Sequence, residues 1–262
     1  MPSPLASAPS LEELARLADS AELSDRAFVA SILQLRAGSA PSPQVASLYR
    51  RVRDAASRAH AGLRARIAGG HFERESFFRA LELVPLELRD HWVEEVLGIA
   101  YPPLVPQALP RELVTYSPTG MAEVSFLLEQ GDLGPGRVLV DLGSGLGKVV
   151  LLAALLTGAQ AVGIELDAEL VAAARAAASA LQLQGTRFIQ GDLREVPLPE
   201  ADVYYMFIPL ARSSELLQRL EPLARRRRIV LFSQEIDLAR APWLRRTGAG
   251  SYWLARFESV AP

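Results

Sequence analysis

The sequence predicts an α/β fold: a doubly wound, mostly parallel sheet with an antiparallel C-terminal strand, preceded by an α-helical N-terminal region. Three observations carry this. From Pro118 onward, short apolar runs of strand character alternate with helical stretches, the pattern of an open parallel sheet with helices on both faces. A glycine-rich turn, Gly143-Ser144-Gly145-Leu146-Gly147, joins one of these strands to the next helix. Before residue 100 the apolar spacing is helical, and four prolines between Tyr101 and Pro110 separate the two textures. The expected organisation is a disordered tail over 1–10, a helical region over 11–110 and a sheet domain over 111–262.

In chain order, Ser10 with Glu13 forms a capping box that opens a first helix. A second helical run covers about Glu22 to Arg36, and Gly38 to Pro43 break it. Val45, Leu48, Val52, Ala55, Ala59, Leu63 and Ile67 recur at spacings of three and four, so they share one helix face. Gly69 and Gly70 end that helix. Two further helices are expected over Glu73–Leu83 and Leu86–Leu97. In the second part, strands are expected at Val138–Leu142, Ala161–Glu165, Arg187–Gln190, Asp202–Ile208, Arg228–Phe232 and Ser251–Phe257. The last of these pairs with Trp243–Thr247. Helices are expected at Met121–Gln130, Lys148–Leu156, Ala168–Leu183 and Ser213–Leu223.

Composition narrows the chemistry. The 262 residues contain no Cys, which removes disulfides, thiolate nucleophiles, Cys-ligated zinc and iron–sulfur clusters. The only histidines are His60, His71 and His91, so a Ser–His–Asp triad confined to the later residues is impossible. No metal site is expected. Residues 1–110 hold 12 Arg against 13 acids, and residues 111–262 hold 16 basic against 17 acidic residues. Neither part has the basic excess of a dedicated nucleic-acid binder. The N-terminus lacks the charged and apolar regions of a signal peptide. The longest apolar run, Val149 to Leu156, is far too short to span a bilayer. A soluble, cytoplasmic protein with no membrane partner is the expectation.

The strongest motif is Val138 to Lys148, VLVDLGSGLGK. A buried strand ends in Asp141, turns through the glycines and opens a helix whose amide hydrogens face a ligand. A phosphate-binding P-loop would need Gly where Leu142 stands and Ser or Thr where Val149 stands. A dinucleotide GxGxxG fingerprint would need Gly in place of Lys148. Gly143, Gly145 and Gly147 instead make GxGxG, with an acid closing the first strand. Glu165 ends the second strand, 22 residues after Gly143, where an acid reaches ribose hydroxyls. Asp192 ends the third, where it can accept from an adenine amino group. Three acids on the carboxyl edges of three successive strands, together with GxGxG, exceed what ordinary helix capping explains.

These residues resemble the class I, seven-strand, S-adenosylmethionine-dependent methyltransferases, whose fold is Rossmann-like. The resemblance covers about Thr115 to Phe257 and is most specific in VLVDLGSGLGK, VGIELD and FIQGDL. It implies S-adenosyl-L-methionine as cofactor. Asp141, Gly143, Ser144, Gly145 and Gly147 would face its methionine part, Glu165 its ribose, and Asp192 with Leu193 its adenine. A narrower resemblance joins Tyr116-Ser117-Pro118-Thr119, DLGSGLGK, GIELDAELV, GDL and MFIP to the non-SET protein-lysine methyltransferases. The nearest in layout are those modifying the ATP synthase c-subunit. In those families a polar residue before the first strand helps hold the cofactor, which makes Thr119 a further candidate. The chain departs from them in its helical N-terminal region.

Methyl transfer from a sulfonium is an in-line displacement, for which an enzyme mainly aligns the reactants. Tyr116, Met206, Phe207 and Pro209 are the candidate acceptor-site residues. The expected function is methyl transfer to a protein lysine. A small-molecule O- or N-methyltransferase and a non-catalytic cofactor-binding module are the alternatives. Nucleobase amino methylation is disfavoured, because Ile208-Pro209 stands where an Asn- or Asp-Pro-Pro-Tyr motif would lie. The remaining features have plainer readings: a solvated Lys148, a helix-capping Arg225–Arg228 run, surface or capping histidines, and late aromatic residues Trp243, Tyr252 and Trp253 in the core.

Overall fold

The computed structural model describes residues 43–84, 86–102, 118–207, 213–233, 236, 238–248, 250 and 254–260. The expected tail, the two helices before residue 37, Tyr116, Ser117, Ile208, Pro209, Tyr252 and Trp253 lie outside the described residues. The chain forms two compact units, Met1–Val96 and Leu97–Pro262.

In the first unit, the three-and-four stripe builds helix α1 (Pro43–Ala68), which ends at Gly69 and at Gly70, whose φ is +70°. Helix α2 (Arg74–Glu82) follows, then a single 3-10 turn (Leu86–Leu88) and helix α3 (Arg89–Leu97). Ala55, Ala56 and Ile67 of α1 are buried with Phe77, Leu81, Trp92 and Val93. The rings of Phe77 and Trp92 lie 5.7 Å apart. The described end of the stripe therefore serves internal packing. His60 corrects the surface reading: it is 1% exposed, with Trp92 edge-on at 6.4 Å. Burial, then the charge of Arg64 and that of His91, lowers its pKa to about 4, so the ring is neutral at physiological pH.

In the second unit, helix α4 (Met121–Gln130) leads into strand β1 (Val138–Leu142), helix α5 (Lys148–Thr157), β2 (Gln160–Glu165), α6 (Ala168–Ala180), β3 (Thr186–Gln190) and β4 (Val203–Met206). Helix α7 (Ser213–Ala224), β5 (Val230–Ser233), β6 (Leu244–Arg246) and β7 (Ala255–Ser259) complete it. The sheet order is β3-β2-β1-β4-β5-β7-β6, with β7 antiparallel to both neighbours. Helix α6 stops three residues before the end of the expected span. Gln182 takes φ +50° and the Gln182 and Leu183 amides turn back to Ser179 and Ala178, although the apolar pattern continues.

One face of the sheet, with Val140, Leu142, Ile164, Tyr204, Met206 and Leu231, packs against Leu216, Leu217, Leu220 and Leu223 of α7. Helices α4, α5 and α6 cover the other face, where Phe126 meets Phe232 edge-on at 5.8 Å. At the amino edge, buried Asp202 accepts the Val138 amide at 2.8 Å and pairs with Arg137 and Arg227. The four arginines of the basic run are each paired, Arg225 with Glu221, Arg226 with Glu200, Arg227 with Asp202 and Arg228 with Glu258. Burial raises the Glu258 carboxyl, and hydrogen bonds from Arg228 and Arg256 more than offset this, holding it below the usual carboxylate range. The run therefore ties strands together in addition to bonding near its own helix end.

Candidate cofactor and methyl-transfer site

Strand order reverses between β1 and β4, and in open sheets of this kind ligands bind at the carboxyl edge beside that switch. The glycine turn lies there. Gly143 and Ser144 both donate their amides to Ile164 O, at 2.9 and 3.0 Å, which moors the turn on the end of β2. Two glycines have separate reasons to be glycine. Gly143 has φ +95° and no atom within 4 Å of where a Cβ would point, so it faces open space. Gly147, with φ +80°, lets Phe188 and Ala174 approach so closely that a Cβ would meet them at 2.7 and 3.1 Å. Gly163 leaves room for Ser144, whose Oγ would lie 2.5 Å from a Cβ there. That Ser144 hydroxyl is buried and finds no hydrogen-bond partner among the described residues.

Each acid sits differently. Asp141 is 2% exposed. Burial, helped by the nearby Glu165 charge, pushes its pKa up to about 8. Glu165 is half-buried and accepts the Gly145 amide at 2.9 Å and the Asp167 amide at 3.0 Å. It thus clasps the glycine turn to the N-terminus of α6, which Asp167 caps through the Glu169 and Leu170 amides. Asp192 is held by Arg194, which donates Nε at 2.9 Å and Nη2 at 2.5 Å to the carboxylate. The adenine amino group expected at Asp192 therefore has a competitor in the same turn. Leu193 is half-buried in the loop that follows.

Thr119 enters at the same edge. Its hydroxyl and the Tyr205 phenol are 2.9 Å apart. Tyr205 pairs with Asp141 in the β1–β4 register and is 1% exposed. Burial, with the Asp141 and Glu123 charges, drives its phenol far above the ordinary value, so it stays protonated. Sequence reasoning named the segment but missed Tyr205; the available signal was its position opposite Asp141 on adjacent parallel strands. Met206 is a correction. It is wholly buried in the α7-side core, because alternation along β4 turns it away from the face that carries Tyr205. Phe207 is half-buried at the strand end. Lys148 is a second correction: at 4% exposure it is buried in the first turn of α5, not solvated. Trp243 packs partly buried against the core.

These groups fit S-adenosylmethionine. The site has a buried acid, a half-buried carboxylate at the end of β2, a hydroxyl without a hydrogen-bond partner among the described residues and a turn opening onto free space. Among the described residues, no group of three His, Asp or Glu side chains is placed to hold a metal ion, and no helix is long and apolar enough to cross a membrane.

Comparison with known proteins places these features. Residues 141–237 match the ANTKMT methyltransferase domain. Over 66 residues, a quarter of the chain, it is 41% identical to a protein of Cryptococcus neoformans var. neoformans serotype D named histone-lysine N-methyltransferase, H3 lysine-79 specific. The chain spans about a tenth of that relative's length. Among solved structures it is similar to an RNA methyltransferase from Salinibacter ruber in complex with S-adenosyl-L-homocysteine. That match has 31% identity over 56% of this chain and 94% of the other, at a TM-score of 0.45. It is also similar to magnesium protoporphyrin IX methyltransferase from Synechocystis PCC 6803 with bound cofactor, at 20% identity over 54% and 77% of the two chains and a TM-score of 0.42. With its sheet order, glycine turn and strand-end acids, the chain carries a class I, seven-strand, S-adenosylmethionine-dependent methyltransferase domain, whose residues 141–237 match the ANTKMT methyltransferase domain.

Proposed function

We propose that the protein transfers a methyl group from S-adenosylmethionine to the side-chain nitrogen of a lysine in another protein. The observation that carries this is the continuity of the matched segment with the site. Asp141, the glycine turn, Glu165 and Asp192 all fall inside residues 141–237. The local similarity to a protein named as a histone-lysine methyltransferase covers a short stretch and supports the same acceptor class. Pairing of the whole Arg225–Arg228 run with carboxylates weighs against nucleic acid as the acceptor.

The cofactor, when bound, supplies an activated methyl carbon on a sulfonium. The chain's own residues bind and orient. Asp141, ionised, offsets positive charge at the β1 end. Glu165 keeps the glycine turn in place and offers carboxylate oxygens to ribose hydroxyls. Tyr205 and Thr119 fix the segment entering α4 against β4. Phe207, at the end of β4, is the described residue assigned to the acceptor side, and the helical N-terminal region is assigned to substrate recognition. Alignment of acceptor and methyl carbon is worth a large part of such a barrier, about 7–11 kcal/mol in well-oriented reactions.

The test is to incubate the purified protein with cell extract and isotopically labelled S-adenosylmethionine. Mass spectrometry should find label on lysine in one or a few proteins. Label confined to small molecules would favour the small-molecule alternative, and no label at all would favour a binding module.

A further inference from the structure

The loop from Gly191 to Asp202 joins β3 to β4 and carries the residues expected at adenine. It has no helix or strand of its own, so its shape depends on what ties it down. At its start the Gly191 amide donates to Glu165 O at 2.9 Å. Val196 lies over Gly191 so tightly that a Cβ there would meet Val196 Cγ1 at 2.2 Å. The Glu195 and Val196 amides both return to Asp192 O at 2.9 Å. At its end the Tyr204 phenol donates to Pro199 O at 2.7 Å and accepts the Ala201 amide at 3.1 Å. The middle is held from outside. Arg219, on α7, donates Nη1 to Leu193 O and Nη2 to Val196 O, the latter at 2.7 Å. A guanidinium offers rigid, charge-assisted donors, each stronger than a neutral hydrogen bond.

We propose that Arg219 is a positioning residue for the nucleoside end of the cofactor site, setting the backbone of residues 192–196 through the Leu193 and Val196 carbonyls. Its importance follows from Asp192. With that carboxylate engaged by Arg194, recognition of the adenine edge depends more on the backbone of this turn, and backbone groups can be aimed only by fixing the turn. Among the described residues, Arg219 fixes it from a neighbouring element. Helix α7 begins a few residues after Phe207, so the same arginine couples the helix that follows the acceptor-side segment to the adenine-side loop. The inference rests on the cofactor reading above.

The test uses the full chain with Arg219→Met, which keeps the aliphatic stem, and Arg219→Lys, which keeps a single charged donor. Calorimetry would measure S-adenosylhomocysteine and its inosine analogue, in which the adenine amino group is replaced by a carbonyl oxygen, with affinities counted per folded molecule. Losing two charge-assisted bonds to the loop should weaken S-adenosylhomocysteine binding about tenfold or more in Arg219→Met. The preference for adenine over hypoxanthine should shrink, and KM for the cofactor should rise more than kcat falls. Arg219→Lys should lie between. A lower Tm with wild-type affinity and wild-type adenine preference in both variants would overturn the proposal, leaving Arg219 a purely structural clamp. Failure of the wild-type protein to bind S-adenosylhomocysteine would overturn the cofactor reading and the role of Arg219 with it.

Discussion

Replacing Asp141 by Asn separates what this acid does for stability from what it does for binding. Asp141 is almost wholly buried, and burial together with Glu165 pushes its pKa from 3.8 to about 8. Between those values the folded, ligand-free protein holds a proton that the unfolded chain has released. Stability is therefore greatest below about pH 4 and falls as pH rises toward 8. The slope is about 1.4 kcal/mol per pH unit, so by pH 7 the carboxyl costs about 4 kcal/mol relative to a group that does not titrate. Asn keeps the shape and removes the titration. In urea titrations from pH 4.5 to 8.5, Asp141→Asn should lose most of that slope. At pH 7 its Tm should rise by roughly 8–16 °C, taking 2–4 °C per kcal/mol for a chain of this size. Binding should move the other way. A positively charged cofactor favours the ionised acid, so wild-type affinity should strengthen as pH rises toward 8, with proton release on binding. In Asp141→Asn that pH dependence should vanish and affinity at pH 8 should fall at least tenfold. Identical stability profiles for both proteins would refute the reasoning, because they would mean that Asp141 is already ionised and compensated in the free protein.

Three further outcomes are expected. Glu165→Ala removes the acceptor of the Gly145 and Asp167 amides and the carboxylate proposed to bind ribose; calorimetry should show cofactor binding at least tenfold weaker while circular dichroism stays native, since charge-assisted bonds are worth about 1.5–3 kcal/mol. Asp202→Ala removes the carboxylate paired with Arg227 and the acceptor of the Val138 amide, and leaves Arg137 with Asp132. Both arginines are more than a third exposed, so the loss is mainly that of the amide's acceptor, about 1–3 kcal/mol; denaturant midpoints should drop, and an unchanged midpoint would contradict the role assigned to this node. A chain beginning near Arg111, if soluble, should still bind S-adenosylhomocysteine but lose methyl transfer per binding site. Full retained turnover would refute a substrate-recognition role for the helical region.

The sheet was legible because its information is local. Strands β1, β2, β4 and β5 are short apolar runs that are almost wholly buried, and the helices between the strands repeat every three or four residues. The glycine turn was equally legible, since left-handed backbone and close approach leave few residue choices. The features that escaped depend on what distant segments place around a side chain. Lys148 reads as a solvated side chain in its own helix and His60 as a surface group, yet both are buried by packing the linear pattern does not contain. Met206 and Tyr205 are adjacent in sequence with opposite surroundings, and only the register with Asp141 and the position of α7 separate them. The engagement of Asp192 by Arg194, two residues on, was within reach of the sequence. The hold of Arg219 on the same loop was not, because the partners are carbonyls, which every residue has.

The burial of Lys148 has a consequence for handling the protein. It is the single lysine among 262 residues, and it is 4% exposed. Within this sequence, then, the folded surface offers no lysine amine. Amine-reactive dyes, biotinylation reagents and lysine cross-linkers should leave Lys148 untouched until the fold opens. Under the proposed function, the folded protein then presents no competing lysine of its own in this sequence. Label recovered on lysine in a transfer assay therefore reports the substrate rather than the enzyme.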